Sequence, residues 1–230
     1  MKKKPPSGKA APRRSRQDRA LETRRRMLRA AYELVCEQGY EPTTMAAIAV
    51  RAGVAVQTLY FTFRSKPAIL SEVLHATVAG FDQWSPTLDR DVHADHRATA
   101  REVMPWFRAF EEEADPYRAL ELYVEGTAEI FARVGPLLAN LGPQRGTEIE
   151  ATLAASEALR AEASTMIVAT LATKGAGLRP TLTRRQASDL FFVLTSAELY
   201  HALVAGRGWP PARANRWLTD LLAHQLLAGR

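Results

Sequence analysis

Two stretches hold side chains whose types and spacing could do chemistry. The first, DVHADH, sets Asp91, His93, Asp95 and His96 within six residues, donors that suit a divalent metal. Little else in the chain could complete such a site. His75, His201 and His224 stand apart in sequence, and Cys36 is the single cysteine, which excludes an intrachain disulfide or a cysteine-based metal cluster. DVHADH therefore reads as a solvated loop opening a helix, with no metal expected. The chain lacks a glycine-rich phosphate loop, a nucleophile elbow and an HExxH pattern, so neither catalysis nor a cofactor is expected. The second stretch is AGVAVQTLYFTF, residues 52–63. At about 100° per residue, Leu59 and Phe63 fall on one side, Gln57, Thr58, Phe61 and Thr62 on the other, and Tyr60 at the edge. So short a helix, with amide, hydroxyl and ring turned outward, is either a poorly packed surface helix or one built to touch a partner.

Three helices must hold that surface. From Ala20 to Gln38, Leu21, Met27, Leu28, Ala31, Leu34 and Val35 recur at spacings of three, four and seven, an amphipathic helix that Gly39 stops. After YEP, Thr43 or Thr44 can accept from the free amides of a second helix reaching about Ala52, with Met45, Ile48 and Ala49 as its buried face. Gly53 permits the left-handed backbone of a tight turn, in which Val54 plugs the core. Two short helices, a four-residue turn and a preceding support helix have the spacing of a helix-turn-helix, whose second helix lies in the DNA major groove.

The charge distribution suits a polyanionic partner. Residues 1–26 hold eleven Lys and Arg against Asp18 and Glu22, a local +9 in a chain whose net charge is +6, so the remainder is net acidic. Residues 1–19, rich in Lys, Pro, Gly and Ser and without an apolar period, are expected to form a disordered basic arm. Arg13, Arg14 and Arg16 would follow a groove or neutralise phosphates there. The same end lacks the apolar core of a secretory or mitochondrial address. No apolar run reaches the ~18 residues that span a bilayer, so a cytoplasmic protein with no membrane contact is expected.

The stretch TTMAAIAVRAGVAVQTLYFTFRSKPAIL, with RRRMLRAAYELVCEQGY before it, resembles the N-terminal domain of the TetR family of bacterial transcriptional regulators, over roughly residues 21–75. The resemblance rests on a helix, a gap, a turn glycine, the TLY triplet and a following lysine in the family's order. It implies that Thr44 bonds a phosphate, that Gln57, Thr58 and Thr62 meet base edges or phosphates, that Tyr60 lays its hydroxyl on the DNA backbone, and that Lys66 pairs with phosphate. Each role suits its group: an amide can read adenine bidentately, a hydroxyl can donate or accept, and the Phe61 ring can contact a thymine methyl. Two positions depart from the pattern. Ala55 stands where many relatives carry a capping Ser, and Thr62 where His or Tyr is common, so the operator sequence is not legible.

Beyond residue 66 the chain reads as helix throughout, an all-α fold of about nine helices without strands. After the helix-turn-helix domain at 20–65, the remainder, 66–230, would be a larger helical domain, with helices at 66–83, about 95–113, 117–140, 147–174, 183–206 and 211–228. Pro105 falls inside one of these and should kink it. AELYHALVAGRGWPPARANRWLTDLLAHQLL resembles the last two helices of many family members. Leu190, Val193, Leu194, Ala197, Tyr200 and Val204 form one stripe there, and Trp217, Leu218, Leu221, Leu222 and Gln225 another. Paired with symmetry mates they would close a four-helix bundle, or else they pack on their own subunit. Two recognition helices about 34 Å apart would favour the homodimer, each reading one half-site.

The middle of the chain exceeds what a DNA-binding dimer needs. The resemblance implies that it encloses a pocket whose occupancy changes the separation of the two reading heads. Met104, Trp106, Phe107, Phe110, Tyr117, Tyr123, Phe131 and Met166 suit the lining of an apolar cavity, although such residues at helical spacing are more often ordinary core. Glu121, Glu125 and Glu129, four apart, read as a solvated stripe. The expected protein is a homodimeric regulator, a repressor released from a palindromic DNA operator by a small-molecule effector. A ligand-independent DNA binder and a helical oligomeric scaffold are the alternatives.

Overall fold

The computed structural model describes residues 15–87, 95–142 and 148–229. Helix α1 (Arg16–Gln38) opens on a capping box: the Ser15 hydroxyl accepts from the Asp18 amide at 3.0 Å, and the Asp18 carboxylate accepts from the Ser15 amide at 2.9 Å. That cap starts the helix four residues before the expected Ala20, so Arg16 is a helical residue rather than part of a disordered arm. Arg13 and Arg14 lie outside the described residues. Thr44 caps α2 (Met45–Ala52), accepting from the Ala47 amide at 3.1 Å. Thr43, the other candidate, is buried and donates to the Gly39 carbonyl at 2.8 Å. Gly53 turns the chain in the left-handed conformation (φ 64°, ψ 42°) into α3 (Val56–Phe63), and Ser65 caps α4 (Lys66–Ala79).

These four helices share a core built on Met27, Leu28, Ile48, Leu59 and Ile69, with Trp84 entering from the turn beyond α4. Arg51 of α2 clasps Glu37 of α1 at 2.8 and 3.0 Å. The hydrogen bond from Arg51 holds the exposed Glu37 carboxyl below its ordinary 4.5. A depressed folded-state value means that the clasp stabilises above pH 4.5 and is lost as the pH falls below it. Wild type and Glu37→Gln should accordingly differ in melting temperature near neutrality and converge in acid.

The next segment, expected as one kinked helix over 95–113, is two: α5 (His96–Val103) and α6 (Pro105–Glu112). Met104 between them is extended (φ −109°, ψ 98°), because the Pro105 ring crowds a helical predecessor. Helices α7 (Pro116–Ala139) and α8 (Glu148–Leu171) follow. The single helix expected over 183–206 is broken into α9 (Arg184–Leu194), α10 (Ala197–His201) and a π-helical turn, Ala202–Gly206. Side-chain bonds to local backbone compete with the helix there. The Thr195 hydroxyl donates to the Phe191 carbonyl at 2.7 Å, and the Ser196 hydroxyl accepts from the Leu199 amide at 3.2 Å. Helix α11 (Pro211–Leu226) ends the fold. These two breaks give eleven α-helices among the described residues where nine were expected. None of those residues forms a strand, although Leu178 and Leu227 make an isolated antiparallel bridge.

A second core gathers Phe107, Phe110, Leu120, Val124, Phe191 and Leu222. Lys174, itself buried, donates to the Glu111 and Glu113 carbonyls at 2.8 and 2.5 Å and so satisfies the open end of α6. On α7, Glu125 and Glu129 are exposed and Glu121 pairs with Arg118, the solvated stripe expected. A Cβ at Gly126 would stand 2.1 Å from the Trp106 ring, which Phe107 and Tyr123 hold edge-on with centroids at 5.8 and 5.5 Å. Overpacking of this kind costs ~1–3 kcal/mol or more, above the ~1 kcal/mol of helix propensity that alanine returns. Gly126→Ala should therefore lower the calorimetric melting temperature.

The first core does not end with α4. Leu137 and Leu141 from the end of α7 and Ile149 from the start of α8 are part of it. Around them the Tyr40 amide donates to the Asn140 carbonyl at 3.0 Å, the Tyr32 hydroxyl to the Arg133 carbonyl at 3.0 Å, and Arg133 to the Thr77 carbonyl at 2.8 Å.

Candidate nucleic-acid interface

Between α2 and α3 the axis bends by 111°, inside the 90–120° of a helix-turn-helix. Buried Leu59 and Phe63 fix the rotation of α3 about its axis. Arg24 of α1 secures its last residue, lying 4.9 Å over the Phe63 ring while its Nε donates to Glu72 of α4 at 2.8 Å. The opposite face carries Gln57 and Thr58, both exposed, with Tyr60 at 50% and Phe61 at 91% exposure. The inside and outside of α3 are thus those the helical wheel predicts. Ala55 offers α3 no side-chain cap, the consequence expected of its methyl. Thr44 is exposed at the start of α2, its hydroxyl proton still free to reach a phosphate while its oxygen caps the helix.

Two predicted contacts are placed differently. Thr62 is half-buried, and its hydroxyl donates to the Thr58 carbonyl at 2.8 Å, which leaves less of it for a base or phosphate than its wheel position promised. Lys66 stands at the start of α4 as expected, but its Nζ is turned inward. It donates to the Tyr40 carbonyl at 3.0 Å and the Glu41 carbonyl at 3.3 Å and lies 4.0 Å from the Tyr40 ring centroid. An ammonium has three donors, and two are spent on holding the α1–α2 linker to α4. The third donor is left over, so Nζ meets these carbonyls with part of its capacity. Sequence reasoning also passed over Val50, 81% exposed on α2, which the same wheel would have shown facing outward.

Of the residues expected to line a pocket, Trp106, Phe107, Phe110 and Tyr123 are brought into one ring cluster with centroid separations of 5.5 to 6.3 Å. Phe191, not anticipated, joins it 5.0 Å from Tyr123. Burial pushes the Tyr123 hydroxyl up to about 12, against its side-chain hydrogen bond with Thr195, which lowers it. Phe131 pairs instead with Tyr200 at 5.6 Å, and Met104 and Met166 pack as half-buried residues on the same core. Phe107 and Phe110 are fully buried, the packing of ordinary core.

The expected dimer stripes divide. Ala197, Leu218 and Leu222 are buried within their own subunit, so they do not form a free interface face. Leu190, Leu194, Val204 and Leu221 are half-buried, while Val193 and Trp217 remain exposed. Asp91 and His93 lie outside the described residues. Asp95 caps α5, accepting from the Ala98 amide at 2.9 Å, and among the described residues no three His, Cys, Asp or Glu gather as metal donors. Nor is any single helix among them long and apolar enough to cross a membrane.

Residues 27–73 match the family profile of bacterial regulatory proteins of the tetR family. No curated protein matches the chain. Solved structures share its fold. NalD, the secondary repressor of the MexAB-OprM multidrug efflux pump in Pseudomonas aeruginosa, is 18% identical with a TM-score of 0.61, over 92% of this chain and 100% of its own. The fatty acid degradation regulator FadR of Bacillus halodurans is 16% identical with a TM-score of 0.65, over 90% and 97%. The transcriptional regulator FadR of Bacillus subtilis, solved in complex with stearoyl-CoA, is 18% identical with a TM-score of 0.58, over 86% and 96%. The N-terminal residues 27–73 thus match the tetR-family profile, and along its length the chain shares the fold of these solved regulators.

Proposed function

We propose that this protein is a homodimeric transcriptional repressor and not an enzyme. It binds a palindromic operator through α3 of each subunit and leaves it when a small molecule occupies the C-terminal domain. The observation that carries the reading is the outward face of α3, where an amide, a hydroxyl, a phenol and an almost fully exposed phenylalanine are presented from a helix-turn-helix bend. A buried scaffold helix would not leave such a ring in solvent. Gln57 reads adenine, Thr44 and Tyr60 fix the register on phosphates, and Lys66 braces the unit from behind. NalD supports the repressor role and stearoyl-CoA in FadR supports an effector site, here beside the cluster of Trp106 and Tyr123. Val193 and Trp217 supply the exposed apolar surface for the partner subunit.

Selection of bound fragments from genomic DNA should return one palindromic sequence. Gln57→Ala should lose ~1–3 kcal/mol of discrimination at one position of each half-site while gel filtration still gives a dimer. Recovery of no common sequence, or a monomer, would overturn the proposal.

A further inference from the structure

Between residues 31 and 80 the chain has three cationic side chains, Arg51, Arg64 and Lys66. Two are occupied. Arg51 holds Glu37 and reaches Glu33 at 3.5 Å, and Lys66 is spent on the Tyr40 and Glu41 carbonyls. Arg64, directly after α3, is exposed, and among the described residues nothing engages its guanidinium.

Its backbone conformation is costly. At φ 67° and ψ −43°, with the Ser65 amide donating to the Phe63 carbonyl at 2.8 Å, Arg64 is the centre of a γ-turn of the strained, positive-φ form. Among the described residues it is the one non-glycine at positive φ. A residue with a Cβ is disfavoured there, whereas glycine adopts such angles freely. The side chain adds nothing to the core in return. Strain kept at an exposed position is the mark of a side chain used for something outside the fold.

We infer that Arg64 is a phosphate-binding residue of the DNA interface, engaging the strand at the rim of the groove that α3 enters. The assignment rests on the DNA-binding reading. The turn pins the residue where α3 ends and α4 begins, and a guanidinium presents a planar fork that fits a phosphate with two parallel hydrogen bonds. Arg64 then adds a cation to the interface beside Lys66, two of whose three donors are already engaged.

The test uses the full chain, the selected operator duplex, and titrations over a series of salt concentrations. Arg64→Gly should melt no lower than wild type, since glycine relieves the turn. It should nevertheless bind on the order of tenfold more weakly, with the slope of log K against log salt shallower by roughly 1 per half-site. Arg64→Lys should keep most of the slope and lose part of the affinity, having the charge without the fork. A merely structural role predicts the reverse, an affinity that follows stability. Arg64→Gly with wild-type affinity and slope would overturn the assignment and leave the DNA-binding reading standing. If the wild type itself binds no duplex, that reading falls and takes this one with it.

Discussion

Trp84→Ala should destabilise the protein by ~3–5 kcal/mol, the loss typical when a large aromatic side chain leaves a closed core. Trp84 has no exposed surface, and it sits among the residues that hold α1 against α4. Arg25 donates to its carbonyl at 2.9 Å and Arg24 lies 5.9 Å from its ring. Removing the indole leaves a cavity beneath the same arginine that fixes Phe63, and with it the end of α3. Since domains of this size are stable by only ~5–15 kcal/mol, urea denaturation should show a midpoint shifted far below wild type. DNA affinity should fall with it at temperatures where the head begins to open. A shift worth under ~1 kcal/mol would mean that the site collapses around the smaller side chain.

Phe61→Ala should have the larger consequence for DNA and almost none for the fold. With its ring 91% exposed, Phe61 contributes little to the core, so its melting temperature should stay near wild type. Burial of the ring against a thymine methyl would be worth roughly 1.5–3 kcal/mol per half-site, or about 10- to 100-fold, and more on a two-site operator. A second measurement identifies the contact. Replacing the contacted thymine by deoxyuridine removes only its methyl, about 0.8 kcal/mol or roughly fourfold, and this loss should vanish in Phe61→Ala. An unchanged affinity of Phe61→Ala would show that the ring faces solvent in the complex as well.

How much of this was legible beforehand depended on how local the deciding physics is. The orientation of α3 follows from eight residues and one rotation angle, so Leu59 and Phe63 inside and Gln57, Thr58 and Phe61 outside could be read directly. Trp84 could not. Followed by Ser, Pro and charged residues, it reads as the start of a loop, and only the meeting of α1 and α4 in space makes it core. The inward bonds of Lys66 were hidden for a similar reason, because the carbonyls it meets belong to Tyr40 and Glu41, 26 and 25 residues earlier. The break at Thr195 and Ser196 was visible in residue type but not in period, since the apolar stripe runs through it uninterrupted. The same stripe made Ala197, Leu218 and Leu222 look free, whereas α7 supplies their cover from within the subunit. The γ-turn at Arg64 carried no signal at all, as a turn of that form ordinarily calls for glycine.

Leu137, Leu141 and Ile149 sit in the same apolar cluster as Met27 and Ile48, more than eighty residues away along the chain. The reading head is consequently not a detachable module. Cut free near residue 87, it would expose the surface those three side chains seal and lose the bond that the Tyr40 amide donates to the Asn140 carbonyl. Head and body should melt in one shared transition, and a shortened fragment should be expressed as a loosened, aggregation-prone species.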